Sequence, residues 1–180
     1  KKYLNTRPAS AKLVRLYGED PATDIRYVCS LDKKRMNTKV AECKVRLSEI
    51  LLMYAECEYH KENFDIALDA INDLRRNRIT GASDLRMVDI PKVRQDNVLK
   101  VDAKGEAITE LLQLILDERQ KELFMEGDRW YELKRNGRPE WWIISNGLKY
   151  TTKEYLYTAP IYRSDVKINP EIKQNPGYED

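Results

Sequence analysis

The stretch from Leu111 to Gly137 constrains the fold of this chain more than any other part of it. Apolar residues recur at every third or fourth position in its first half, which predicts a helix with one apolar face, and Arg119 is embedded in that face. Gly127 predicts a break in the helix, because glycine enters left-handed backbone space without a steric cost. Asp128 then suits the first turn of a second, short helix, which an asparagine–glycine pair ends.

The same stretch carries more charge than a packed helix can keep in water. An isolated buried charge costs roughly several kcal/mol, so buried charges must be paired and hydrogen-bonded. We therefore predict that charged residues of this stretch form a partly buried, structural ion-pair staple between helices: Glu118, Arg119, Glu122, Glu126 and Arg129. The other interpretation is a carboxylate cluster that serves acid–base chemistry or binds a metal. No histidine lies nearby, which favours the staple.

Composition indicates one globular domain over residues 1–180. Charged residues make up 34% of the chain and apolar residues 42%, a balance typical of a soluble, folded protein. The net charge is only +2, so no nucleic-acid partner is predicted. The three cysteines are an odd number without a CxxC pair, so we predict neither a disulfide framework nor a metal site, and we expect Cys57 in the core. No cofactor is predicted, and no apolar run is long enough to span a membrane.

Two helices are predicted before the charged stretch. The first runs from Val40 to His60 and is apolar on so much of its circumference that we expect it to be packed on two sides. The second begins after Asn63 and ends in a cluster of arginines that we expect to be solvated. Residues 46–79 thus form a helix–turn–helix hairpin of about 34 residues, the length of a tetratricopeptide (TPR) repeat. One such hairpin cannot bury its faces alone, so we expect it to pack on the helix at 107–126.

The remaining segments are predicted to be extended or irregular. A brief strand or extended segment is expected near Ile25 to Val28, and another extended or strand-like segment between Lys149 and Tyr157. The tail from Thr158 to Asp180 contains three prolines, and we expect a strap without a helix. The predicted fold class is all-α, with TPR-like helix hairpins in a helical core at about residues 40–137 and a loop-rich, proline-ordered strap at 138–180.

Four segments, in the same order, resemble motifs of the SusD/RagB family of surface nutrient-binding lipoproteins. The most specific is ERQKELFMEGDRW at 118–130, which is similar to the family's E-R-x-x-E-L-x-x-E-G-x-R-W element. The others are RLSEILLMYAE at 46–56, ALDAINDLRRNR at 67–78 and the closing QNPGY at 174–178. Asp24-Ile25-Arg26 is a weaker match to a D-x-R motif upstream. The chain departs from the family pattern at Tyr162, where a second proline is usual, and at Cys57, where alanine is usual.

This resemblance implies a non-catalytic protein of nutrient uptake and polysaccharide utilisation. Proteins of this family are held by a lipid at the outer membrane, on the cell surface. There they bind oligosaccharide and deliver it to a SusC-like TonB-dependent transporter. The lipid anchor is expected to lie outside this chain. The motif residues, the Glu–Arg element included, are implied to be architectural, and the glycan site is implied to lie in variable loops.

A sugar site needs an exposed aromatic face, on which the apolar side of a pyranose stacks, and polar groups that pair with hydroxyls. The residues predicted to form such a site are Trp141, Trp142, Tyr150 and Asn146. The other interpretation is that tryptophans in an apolar run belong to the core, and one tryptophan can serve each role.

Two functions of other classes remain open from the sequence. The first is a TPR-type scaffold whose helix groove binds another protein, and binding of a peptide rather than a saccharide would distinguish it. The second is a hydrolase that uses the carboxylates of Glu118, Glu122 and Glu126. Loss of activity in Glu→Gln variants of unchanged stability would indicate the hydrolase.

Overall fold

The computed structural model describes residues 8–39, 45–145, 147–169 and 171–178. Residue contacts divide the chain into two compact units. The first unit consists of Lys1–Arg94 with Ile108–Tyr131, and the second of Gln95–Ala107 with Glu132–Asp180. Packing units are not independently folding domains, so the single domain predicted for residues 1–180 stays a prediction.

The first unit begins with two short helices that are each capped by the preceding side chain. Helix α1 spans Ala11–Arg15, with Ser10 as its N-cap. Helix α2 spans Ile25–Ser30, and the Asp24 carboxylate caps it by accepting a hydrogen bond from the Arg26 amide at 2.9 Å. The strand predicted for this second segment is wrong, because an N-cap outweighs the strand preference of a few β-branched and aromatic residues.

Helices α3 (Leu47–His60) and α4 (Phe64–Arg76) form the predicted hairpin. Helix α5 (Glu110–Glu122) packs against both, and the three helices share one apolar core. Ala55 and Ala67 are fully buried, and their small side chains let the hairpin helices approach closely. The predicted all-α, TPR-like fold class is confirmed. No helix in the described ranges is long and apolar enough to cross a membrane.

One side of α3 faces solvent. Leu47 is 81% exposed and Ile50 is 51% exposed, and Cys57 lies on the exposed side as well. The expectations of burial on two sides and of Cys57 in the core are wrong, because α4 and α5 both pack on the side of α3 that carries Leu52. The predicted start of this helix at Val40 lies outside the described residues, and the described helix begins at Leu47.

The charged stretch folds around its glycine as predicted. The Thr109 hydroxyl caps α5 by accepting a hydrogen bond from the Leu112 amide at 3.2 Å. A tight turn follows the helix, in which Met125 and Gly127 both have a positive φ. Helix α6 spans Asp128–Arg135, so the break at the glycine and the new start at the aspartate are confirmed.

The second unit contains a two-stranded antiparallel ribbon of β1 (Trp141–Ser145) and β2 (Leu148–Thr152). The extended segment predicted from Lys149 is confirmed up to the end of β2, after which Glu154–Tyr157 form a short 3-10 helix. The tail contains helix α7 (Arg163–Ile168), so the prediction of a strap without a helix is wrong. Residues 161–169 contain no proline, and this interval leaves room for helical backbone hydrogen bonds.

Candidate functional site

Glu118 lies at the centre of a buried ion-pair network in the first unit, where its side chain is 1% exposed. One of its carboxylate oxygens lies 2.8 Å from Arg26 Nη1, and the other lies 2.6 Å from Lys121 Nζ. Arg26 also donates two hydrogen bonds to the Asp24 carboxylate, at 2.9 and 2.7 Å. One buried carboxylate of α5 therefore joins this helix to α2.

Two further carboxylates, those of Glu122 and Glu126, each bind an arginine side chain. Arg78 donates from Nε and Nη2 to the two carboxylate oxygens of Glu122, at 3.0 and 3.1 Å. Arg46 donates to Glu126 at 2.7 Å, and Lys39 Nζ binds the same carboxylate. Arg78 thus faces the network, although the sequence pattern predicts a solvated arginine cluster at the end of α4.

Arg119 forms a separate pair that holds α5 to the start of α6. Its Nε and Nη2 atoms donate to the two carboxylate oxygens of Asp128, at 2.9 and 2.6 Å. The carboxylate of Glu49 on α3 lies 3.7 Å from the same guanidinium. Arg129, the last of the predicted staple residues, is half-buried. We propose that all five residues stabilise the helix packing rather than act on a ligand.

Sequence reasoning missed the partners that surround Glu118. Asp24 and Arg26 were visible as a D-x-R spacing, which lets one carboxylate cap a helix and hold the guanidinium two residues later. Lys121 gave no signal, because a lysine on a densely charged helix normally faces solvent. The side chain of Lys121 is nevertheless buried, with only 5% of it exposed.

The network shifts the pKa values of its carboxyl groups. Burial by itself would raise the pKa of Glu118, but the charges of Lys121 and Arg26 outweigh burial and hold the pKa below the usual 4.5. Burial would also raise the pKa of Glu122, but Arg78, Ser48 and Arg26 together outweigh burial and lower this pKa. Both carboxylates are therefore ionised at neutral pH.

This arrangement suits structural support better than chemistry on a substrate. A general acid or base must reach its substrate and titrate near the working pH. Glu118 and Glu122 are closed to solvent, face cations and have lowered pKa values. Among the described residues, no group of three or more His, Cys, Asp and Glu side chains is placed to hold a metal ion.

The residues predicted for a glycan site lie on the ribbon of the second unit, but they do not share one face. Trp142 pairs with Thr151 in the register, and Ile143 pairs with Tyr150. Paired residues lie on the same face of a ribbon, and neighbours along a strand alternate between faces. Trp142 and Tyr150 therefore lie on opposite faces. Asn146 lies outside the described residues.

Trp141 is anchored by hydrogen bonds within the second unit. Its indole Nε1 donates to the Tyr157 hydroxyl at 3.1 Å, and this hydroxyl donates to the Pro139 carbonyl at 2.9 Å. Tyr157 is 2% exposed, and Trp141 is half-buried. The two tryptophans thus differ in environment, since Trp142 is 56% exposed.

The ammonium group of a lysine lies over the ring of Trp142, a contact that was not predicted from the sequence. Lys149 Nζ lies over this ring, 5.1 Å from its centroid. Lys149 pairs with Ile144 in the register and therefore shares a face with Trp142 and Thr151. No local sequence pattern reveals this contact, because the diagonal placement of two side chains depends on the strand register.

Comparison with known proteins identifies the family. The model of the SusD family matches residues 26–178. The chain belongs to the SusD family. No protein of curated function matches it significantly.

Two solved structures are similar to this SusD-family chain. A SusD superfamily protein from Bacteroides thetaiotaomicron VPI-5482 is 26% identical, with a TM-score of 0.61 over 93% of this chain and 40% of its own. A candidate sugar binding protein from Bacteroides vulgatus ATCC 8482 is 25% identical, with a TM-score of 0.65 over 98% of this chain and 42% of its own. The chain thus spans about two-fifths of the length of either structure.

The motifs shared with the SusD family meet in the ion-pair network. The segment at 46–56 supplies Arg46 and Glu49, and the segment at 67–78 supplies Arg78. The segment at 118–130 supplies the carboxylates that these arginines hold. Residues distant in sequence thus come together because arginines from the two other segments bind carboxylates of the segment at 118–130.

The closing motif of the SusD-family chain acts in a different place. The Gln174 side chain accepts a hydrogen bond from the Ile161 amide at 2.7 Å and donates to the Ile161 carbonyl at 2.9 Å. Asn175 donates to the Ala159 carbonyl at 2.7 Å. The amide side chains therefore satisfy backbone groups in a segment that has no strand partner among the described residues.

Proposed function

We propose that this SusD-family chain is part of a non-catalytic, cell-surface protein that binds oligosaccharide or polysaccharide. It delivers the glycan to a SusC-like TonB-dependent transporter in the outer membrane. The observation that carries this proposal is the indole of Trp142, which lies 56% exposed on one face of the ribbon. Membership of the SusD family and the naming of the B. vulgatus relative as a candidate sugar binding protein support it.

The ribbon face has the chemistry that sugar binding requires. A pyranose presents an apolar face of C–H groups and an equatorial rim of hydroxyls, so it pairs best with an aromatic ring next to hydrogen-bonding groups. Trp142 supplies the ring, and Thr151, its partner in the strand register, supplies a hydroxyl group on the same face. Trp141 supports the ribbon through Tyr157 instead of contacting the ligand.

The rest of the function rests on the family. A lipid anchor would hold the protein at the outer leaflet of the outer membrane, so that captured glycan stays next to the transporter. The buried network would hold the helices in place and would not contact the glycan. Capture without cleavage fits the closed environment of Glu118 and Glu122.

Native affinity electrophoresis through gels that contain a panel of polysaccharides tests this proposal. We expect at least one glycan to retard the protein and Trp142→Ala to abolish the retardation. Tyr162→Ala is the matched control, because Tyr162 is an exposed aromatic residue of the second unit outside the ribbon. Equal retardation of the Trp142→Ala variant would refute the assigned face, and free migration in every gel would refute glycan binding by this chain.

A groove on the α3–α4 hairpin favours a second candidate function, a protein-binding scaffold. The groove has a volume of about 460 Å³. Its lining combines apolar side chains, among them Tyr54 and Ile66, with charged side chains, among them Asp69, Asp73 and Arg76. An amphipathic helix fits such a surface. Specific binding of a peptide at this groove, lost in Tyr54→Ala and retained in Trp142→Ala, would support the scaffold.

A further inference from the structure

Two lysines of the ribbon region have different surroundings. Lys153 Nζ lies 2.9 Å from the carboxylate of Glu140, so its charge is paired. Lys149 is held instead over the ring of Trp142, and within the described ranges it forms no salt bridge. A cation with no carboxylate partner among the described residues thus lies against the same aromatic face that we assign to the sugar.

We infer that this face binds a carboxylated sugar, a uronic acid unit, and that Lys149 is the residue that selects it. The inference rests on the proposed glycan function and names the substrate class of the same site. The ring of the uronic acid stacks on Trp142, and its carboxylate pairs with the ammonium group of Lys149. The Thr151 hydroxyl lies on the same face and is available to a sugar hydroxyl.

The ammonium group of Lys149 responds differently to a neutral sugar and to an acidic one. In the free protein the ammonium covers part of the indole through a cation–π contact, which is weak at an exposed site. A sugar that stacks on the indole must displace the ammonium sideways. A neutral sugar offers only hydroxyl groups in return, whereas a carboxylate forms a charge-assisted hydrogen bond with it. The long and flexible lysine side chain can make this movement at little cost.

A purely structural role of the same contact makes a different prediction. If Lys149 serves only to stabilise the ribbon across its two strands, its replacement lowers stability and affects acidic and neutral ligands equally. Selectivity between two ligands that differ only in charge is therefore the readout that separates binding from structure.

The experiment compares polyuronates with their own neutral derivatives. Dissociation constants are measured by tryptophan fluorescence for oligomers of galacturonic, mannuronic and glucuronic acid and for the same oligomers after reduction of their carboxyl groups. We expect at least one acidic oligomer to bind about tenfold more tightly than its reduced form, and added salt to diminish the difference. The variant Lys149→Met keeps the apolar stem and should bind both forms equally, while the control Lys153→Met keeps the preference.

The outcomes distinguish this inference from the proposed function. Binding of neutral glycans without preference for their acidic counterparts, or an unchanged preference in Lys149→Met, overturns the uronic acid assignment and leaves glycan binding standing. Failure of every glycan to bind, in these titrations and in the affinity gels, overturns both.

Discussion

At the scale of single residues, Glu118 is the carboxylate around which three other charged side chains are arranged. Its carboxylate contacts Arg26 and Lys121 directly, and Arg26 is held in place by Asp24 as well. Such a network is costly to assemble because every member loses its water. It becomes far more costly when one member is removed, because the remaining charges stay buried without their partner.

We therefore expect Glu118→Gln to lower the free energy of unfolding by about 3 kcal/mol. The glutamine keeps the shape of the side chain but removes the negative charge between two buried cations. Urea denaturation followed by circular dichroism measures the change. Asp73→Asn is the control, since the pair of Asp73 with Arg76 lies at the surface and should contribute little. Equal effects of the two substitutions would contradict a stabilising role of the network.

The lowered pKa of Glu118 and Glu122 also predicts how stability depends on pH. A carboxyl group with a lower pKa in the folded state than in the unfolded state adds stability above its unfolded pKa, and this stability is lost as the pH falls through the folded pKa. Both groups start from an ordinary value of 4.5. Thermal stability should therefore be constant near neutral pH and should decline below about pH 4.5.

Melting temperatures recorded between pH 7 and pH 3 test this dependence. The Glu118→Gln variant has one fewer group of this kind, so its stability should fall less steeply with acid than that of the unsubstituted protein. Parallel curves for the two proteins would show that the ionisation of Glu118 is not coupled to folding.

At the scale of elements, the closing segment 174–178 is fixed by hydrogen bonds and by one glycine. Gly177 has a φ of +85°, and an added methyl group would come within 2.7 Å of Tyr155 Cβ. Tyr155 in turn packs edge-on against Tyr178. Glycine is thus required here for two reasons, the positive φ and the close approach of the chain to an aromatic ring.

We expect Gly177→Ala to destabilise the protein by about 2–4 kcal/mol, because backbone strain adds to the displacement of Tyr155. Gly105→Ala is a closely matched control, since Gly105 has the same φ of +85° but no atom within 4 Å of the added methyl group. Backbone strain alone should cost about 1 kcal/mol there. Equal losses in thermal melts of the two variants would mean that contact with the ring has no energetic weight.

At the scale of the whole molecule, the exposed side of α3 shows that an apolar sequence pattern does not by itself predict burial. Ile50 and Leu52 are both aliphatic and lie two positions apart, yet Ile50 is 51% exposed and Leu52 is 1% exposed. A contiguous apolar stripe at a protein surface is characteristic of a surface that meets another surface. The groove lined by Tyr54 and Ile66 lies alongside the same hairpin.

The two positions should respond differently to substitution. Ile50→Gln should change the free energy of unfolding by less than about 0.5 kcal/mol, because a half-exposed side chain loses little apolar burial and glutamine suits a helix. Leu52→Ala should lower it by about 2–5 kcal/mol, because it leaves a cavity in the core shared by α3, α4 and α5. Denaturant titration of both variants measures the contrast. A large loss of unfolding free energy for Ile50→Gln would show that this side of α3 is covered by another surface in solution.

The sequence by itself determined the elements of this protein that depend on near neighbours. The helix hairpin, the break at Gly127 and the new helix at Asp128 follow from apolar spacing, a left-handed turn and a first-turn charge, all of which act within a few residues. The motif segments sufficed to identify the family. Asp24 was visible in a motif, but the local pattern around it predicted a strand instead of the helix that it caps.

Only the tertiary structure decided which surfaces these elements present and which charges meet. The pairing of Arg26 with Glu118, the exposure of one side of α3 and the position of Lys149 over Trp142 depend on residues from separate elements or on strand register. A one-residue change of register would turn Trp142 to the other face without altering its local sequence. Local patterns therefore specify that a helix or strand forms, while contacts between elements select the buried side and the site.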